Sequence, residues 1–133
     1  MTEIAPQVFD TVRRCIAESL AVPLDDIALA SRLIDDLGAD SLDFVDIIFM
    51  LDRELDIRVR DTEFNFLTRL DFSSPEVMKQ GFLTEAVVSE LETWLPAVAE
   101  HDRTRVTPQQ LFSLITVEAI CVVASRRLAA MKR

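Results

Sequence analysis

Val8, Val12, Cys15, Ile16 and Leu20 fall on one stripe of a helix and leave Arg13, Arg14 and Glu18 on the other side. That period predicts an amphipathic helix over residues 6–20, closed off ahead of Pro23. In residues 21–40 the period is lost. Isolated apolar residues (Val22, Leu24, Ile27, Leu29, Leu33) alternate there with paired acids and Gly38, which predicts a long ordered loop anchored to the core by those side chains. Asp40 is a good N-cap, and helical spacing resumes after it. A second helix is therefore expected from residues 40–41 to about 55. Short alternation at Ile57 and Val59, followed by Phe64, predicts a loop and a turn of helix that close over the core.

In the second half, Ser74-Pro75-Glu76 reads as a helix start with Gly81 as its stop. After Thr84, the residues Val87, Val88, Leu91, Trp94, Leu95 and Val98 make one apolar stripe, and Pro96 should kink or end the helix that carries it. Polar residues 100–105 read as a linker. Thr107-Pro108-Gln109-Gln110 combines a capping box with proline at the first helical position. From Leu111 through Leu114, Ile115, Ile120, Val122 and Val123 to Arg126-Arg127, the spacing predicts one long final helix with cations at its C-terminal end.

Composition supports an all-α reading: two glycines and no tyrosine stand beside abundant helix formers. At 133 residues and 50% hydrophobic, the chain can build one core without disulfides or metals. The charge is uneven. Residues 1–65 carry 15 acids against 6 bases, while residues 66–133 carry 8 of each, so the whole net charge of −9 lies in the first half. Such a half repels nucleic-acid phosphate and anionic membrane surfaces and draws proteins with basic patches. Cys15 and Cys121 are far apart in apolar stretches, as buried free thiols of a reducing compartment would be. The start Met1-Thr2-Glu3-Ile4-Ala5-Pro6 has no secretory or transit pattern. A cytoplasmic protein is expected.

Three other chemistries fail on spacing. Among the acids from Asp35 to Asp46, placing Gly38 sixth in a calcium loop would put Leu33 first, where an oxygen ligand is needed. His101, the only histidine, lies in the polar linker with no Cys or His partner for zinc. The apolar run 111–124 is too short for a membrane span and contains Glu118. No nucleophile and base form a plausible pair, so catalysis is not expected.

Asp40-Ser41 alone reads as a helix cap. In its setting, Leu37-Gly38-Ala39-Asp40-Ser41-Leu42-Asp43 resembles the attachment motif of acyl carrier proteins. The resemblance extends from the first helix to about Phe64 and resumes over residues 106–115. It implies an acyl-carrier-like four-helix bundle and 4′-phosphopantetheine taken from coenzyme A onto Ser41. A serine at a helix N-terminus suits that chemistry, because free N–H groups and the helix dipole favour a phosphodiester. By matching position, the resemblance makes Asp36, Asp40, Leu42, Asp43, Val45, Asp46, Phe49 and Asp52 the surface on which partners dock. Leu33, Ile48, Leu51 and Val59 would line the interior that takes the acyl chain. The implied partners are a phosphopantetheinyl transferase, using magnesium and coenzyme A, and acyl-loading, condensing or acyltransferase enzymes with basic docking patches.

The chain departs from the family pattern in length. It reads as a single carrier domain over 1–133, with a core of 1–65 and 105–133, a helical insertion at about 66–104 and an extended C-terminal helix. Phe44 and Met50 stand where small or polar outward residues would be expected, so the second helix is apolar nearly all round. The inserted stripe Val87-Val88-Leu91-Trp94-Leu95 is expected to cover that surface, either enlarging the acyl cavity or presenting a docking face. Fatty acid or specialised lipid synthesis is the expected setting. Two alternatives stay open: an unmodified carrier-like module that holds a basic partner, and a polyketide or peptidyl carrier, although Ala39-Asp40 ahead of the serine looks more like the fatty-acid type.

Overall fold

We describe residues 4–58, 70–100 and 102–131 from a computed structural model of the chain. Val59, Phe64 and His101 lie outside the described residues. Helix α1 spans Pro6–Leu20 and buries Val8, Val12, Cys15 and Ile16, the stripe expected from the sequence. Ala21 ends it in the left-handed region at φ 55°, and its N–H reaches back to the Ala17 carbonyl. The loop that follows contains a single 3-10 turn, Leu24–Asp26. Ile27, Leu33 and Ala39 anchor this loop in the core.

Helix α2 spans Ser41–Leu55. Its end is fixed by Asp56, at φ 52°, and by a bond from the Ile57 N–H to the Asp52 carbonyl at 3.1 Å, with the Ile57 side chain buried beneath. Helices α1 and α2 pack along each other, and α1 also lies against the last helix. Phe44, expected to face outward, is buried together with Ile47, Ile48 and Leu51. The second helix thus turns a wider face inward than the family pattern implied.

Residues 74–81 form no helix. Ser74 and Pro75 open a turn closed by bonds from the Val77 and Met78 N–H groups to the Ser74 carbonyl. A hairpin then pairs β1, Met78–Lys79, antiparallel with β2, Phe82–Leu83. Gln80 and Gly81 make its two-residue turn, both at positive φ, so Gly81 stops no helix and serves the hairpin instead. Helix α3, Glu85–Leu91, is shorter than the stripe suggested, and Pro96 opens a separate 3-10 turn, Pro96–Ala99. The stripe itself is buried, but its principal packing is to that turn, which in turn leans on α4. The expected cover over α2 is not a principal contact of this segment.

Helix α4, Pro108–Leu114, starts as its sequence indicated: the Thr107 side chain accepts the Gln110 N–H at 3.1 Å. The single long final helix is absent. Ile115 is extended (φ −69°, ψ 116°), and α5, Val117–Met131, begins anew. The break is filled by the long loop. Leu33 donates its N–H to the Ile115 carbonyl, and Val117 and Glu118 donate theirs to the Ser31 and Leu29 carbonyls, each at 2.9 Å. Buried side chains from Val8 to Ala124 join one continuous core, in which Cys15 and Cys121 are both free thiols.

Candidate functional site

The turn ahead of α2 is built by its own backbone and by Gly38. Its φ of +77° is open to glycine without strain, and its N–H meets the Ile34 carbonyl at 3.0 Å. Ala39, buried, donates to the Leu33 carbonyl at 3.0 Å. Arg32 donates its backbone N–H to Asp36 Oδ2 at 2.7 Å, so Asp36 braces this turn as well as facing water. Asp35 forms an ion pair with Arg32 at 3.6 Å and accepts the Ser113 hydroxyl, which ties the turn to α4. That tie was not anticipated from the sequence, since Asp35 and Ser113 carry no local signal of each other.

Asp40 then caps α2 in a reciprocal box. Its Oδ1 accepts the Asp43 N–H at 2.8 Å, while Asp43 Oδ2 accepts the Asp40 N–H at 3.1 Å. The Asp40 carbonyl takes the Phe44 N–H at 3.1 Å. Ser41 is the first helical residue. The N–H groups of Ser41 and Leu42 precede the first intrahelical donor, and so they lie at the positive mouth of the helix. Free backbone donors in the first turn of a helix favour a negatively charged group, so the backbone here fits a phosphate attached in this turn.

Away from the cap, Leu42 (74% exposed), Asp46 and Phe49 (49% exposed) follow each other at four- and three-residue steps along one stripe of α2. Val45 and Asp52 are half-buried beside it. The far end of the helix differs in charge. Phe49 borders a cleft of about 640 Å³ where Asp52 and Asp56 are set against Arg53, Arg58 and Arg127. The acidic field is therefore densest next to Ser41 and fades along the helix. Of the expected interior set, Leu33, Ile48 and Leu51 are buried in the core, and Val59 lies outside the described residues.

A family profile described as a phosphopantetheine attachment site matches residues 10–73. The chain is 34% identical over 64 residues to an acyl carrier protein of Campylobacter lari, covering 48% of this chain and 83% of that protein. It is 45% identical over 56 residues to an acyl carrier protein of Clostridium perfringens, covering 42% of this chain and 74% of the relative. The chain belongs to the acyl carrier protein family. A longer member, acyl carrier protein AcpXL of Mesorhizobium japonicum, is 49% identical over 51 residues, covering 38% of this chain and 55% of that protein. No solved structure matches the chain.

Membership in the acyl carrier family implies a covalently attached 4′-phosphopantetheine group and a carrying role. At the level of the family, that role is carriage and not catalysis. Among the described residues of this acyl carrier, no group of three or more His, Cys, Asp or Glu side chains could hold a metal ion. Among the same residues, no helix is long and apolar enough to cross a membrane.

Proposed function

We propose that this protein holds acyl chains as thioesters on 4′-phosphopantetheine attached to Ser41, and presents them to enzymes of fatty acid or specialised lipid synthesis in the cytoplasm. The observation that carries the reading is the position of Ser41: first residue of α2, directly after the Gly38 turn and the Asp40–Asp43 capping box, inside the matched stretch 10–73. When attached, the group supplies a thiol on a long flexible arm, and the hard chemistry is left to other proteins.

The residues of the chain prepare the attachment. The cap holds the first turn of α2 in place, and the N–H groups of Ser41 and Leu42 stabilise negative charge on the new phosphodiester. In forming it, the serine oxygen bonds to the phosphorus that carries the pantetheine. The pyrophosphate bond of coenzyme A breaks, adenosine 3′,5′-bisphosphate leaves, and the hydroxyl proton passes to the transferase. The stripe Leu42–Asp46–Phe49, with Asp36, Asp40 and Asp43 around it, is the surface offered to that transferase and to acyl-loading, condensing or acyltransferase enzymes. Their matching feature is a basic rim around an apolar seat. Residues 66–104 are an insertion into a carrier core of 1–65 and 105–133. This division is supported by the hairpin, short helix and 3-10 turn that the segment forms between the long helices.

The test is intact mass after incubation with coenzyme A, magnesium and a broad phosphopantetheinyl transferase. The wild type should gain one phosphopantetheine, and Ser41→Ala none. A wild type that stays unmodified while still holding a basic partner protein would overturn the reading in favour of an interaction module.

A further inference from the structure

A second cavity, of about 330 Å³, lies between the inserted segment and α5, outside the stretch that matches the family. Trp94 and Leu95 come to it from the segment after α3, Leu114 from the end of α4, and Ala119 and Val122 from α5. The first four are buried and the last is half-buried. Charge is confined to the rim, where Glu100, Glu118 and Arg126 are exposed. On α5, Glu118, Val122 and Arg126 stand at steps of four, so one face of the helix is apolar in the middle and charged at both ends. Arg126 closes one side by donating from Nη1 to the Thr93 carbonyl at 2.9 Å.

Two bland readings are weaker. A packing defect is ordinarily smaller, since native interiors hold few voids larger than a water molecule. A water-filled polar pocket would have its polar partners on the floor, whereas here the buried lining is Trp94, Leu95, Leu114 and Ala119, and the polar lining residues Thr93, Glu100, Thr116, Glu118 and Arg126 are exposed or half-buried. The size and the plan, an apolar floor with a few polar groups at the mouth, are those of a small-ligand site.

The cavity is also near Ser41. Ser41 is two residues beyond Ala39, which is bonded to Leu33, which is bonded to Ile115. Ile115 sits between Leu114 and Thr116, both in the cavity wall. With adjacent segments about 5 Å apart and at most about 3.6 Å per residue along the chain, the path is at most about 21 Å. A pantetheine arm with a long acyl chain beyond it covers such a distance.

We infer that the cavity between the inserted segment and α5 takes the distal part of a long acyl chain carried by this same protein. The inference rests on the carrier reading above. Removal of the chain's apolar surface from water drives its entry, and the insertion gives the carrier an apolar site that the matched family core does not contain.

Trp94 is the only tryptophan in the chain, so its fluorescence reports on this cavity alone. The phosphopantetheinylated protein is loaded with acetyl, hexadecanoyl or terminally brominated hexadecanoyl groups, and loading is confirmed by intact mass. The brominated chain should lower Trp94 emission relative to plain hexadecanoyl, because a bromine held against the indole quenches it. Acetyl should leave the emission unchanged, and dilution should not alter the result, because chain and indole are on one molecule. Ala119→Phe, which fills the cavity, should abolish the quenching with loading intact. If that variant fails to fold by circular dichroism, Val122→Phe, at a half-buried position, serves in its place. Complete loading of the brominated chain with unchanged Trp94 emission would overturn the inference. Failure to load any chain would instead overturn the carrier reading.

Discussion

Replacing Asp40 by alanine removes the bond from the Asp43 N–H, 2.8 Å long, while the backbone N–H of residue 40 can still donate to Asp43 Oδ2. Loss of an N-cap oxygen costs about 1 kcal/mol. Loss of a negative charge from the first turn of a helix adds about 0.5 kcal/mol at low salt. The sum, about 1.5 kcal/mol, should move the urea midpoint down by about 1 M for a chain whose denaturant slope is near 1.5 kcal/mol/M. Two probes follow the transition: far-ultraviolet circular dichroism for the helices and Trp94 fluorescence for the inserted segment. Asp40→Asn keeps the cap oxygen, so it should recover most of the loss and leave only the charge component. Attachment of phosphopantetheine should slow for Asp40→Ala in proportion to fraying of the first turn, and much less for Asp40→Asn. If alanine and asparagine are equally destabilising, the capping argument is wrong and only charge matters. If stability is unchanged while attachment collapses, Asp40 touches the transferase directly.

Leu91 is fully buried at the end of α3, so Leu91→Ala should cost about 2–5 kcal/mol and lower the single unfolding transition seen by both probes; a loss confined to Trp94 fluorescence would show that the insertion folds apart from the rest. Leu42→Ala and Phe49→Ala should alter stability by less than about 0.5 kcal/mol because both side chains are exposed, yet each should weaken docking of an acyl-handling enzyme by about tenfold in surface-binding measurements. Burial pushes the Cys15 thiol up to about 11, with Glu54 adding to the effect, and burial pushes Cys121 up to about 12. An unfolded thiol ionises near its ordinary value of 9.0, so stability from these two neutral thiols is fully present below pH 9 and lost as pH rises toward 11 and beyond. A disulfide exchange reagent at pH 8 should therefore leave both thiols untouched in the native protein and label both in urea.

The parts of the fold legible in the sequence are those whose cause is local. A stripe such as Val8–Val12–Ile16, a cap such as Asp40 with Asp43, or Thr107 with Gln110 and proline at the first turn, contains its own structural reason within a few residues. Misreadings occur where a distant segment decides. Ser74-Pro75-Glu76 has the residues of a helix start, but the chain there folds back so that Phe82-Leu83 can pair with Met78-Lys79, and the Leu83 N–H reaches the Val106 carbonyl at 2.7 Å. The break at Ile115 follows a β-branched run, Ile115-Thr116-Val117, whose side chains are stiff in a helix. The Thr116 hydroxyl accepts the Ala119 N–H at 3.2 Å as a local cap, but the decisive partners are loop carbonyls far away in the chain. Likewise, the capped start of α2 at Ser41 was legible from its flanking residues, while the brace from Asp35 to Ser113 required the loop and α4 to be brought together by the rest of the fold.

The bonds from Val117 and Glu118 to Ser31 and Leu29 also set an order of assembly. The beginning of α5 cannot satisfy its first donors until a loop almost at the other end of the chain is in position, and that loop cannot keep its shape without them. Contacts this distant in sequence carry a high loop-closure cost and form late in folding. A nascent chain could thus fold α1 against α2 early, yet would hold the segment leading to Ser41 loosely until its last helix emerged. Native-state hydrogen exchange should find the amides of Leu33 and Val117 opening together, so that the order of the segment ahead of Ser41 is governed by α5.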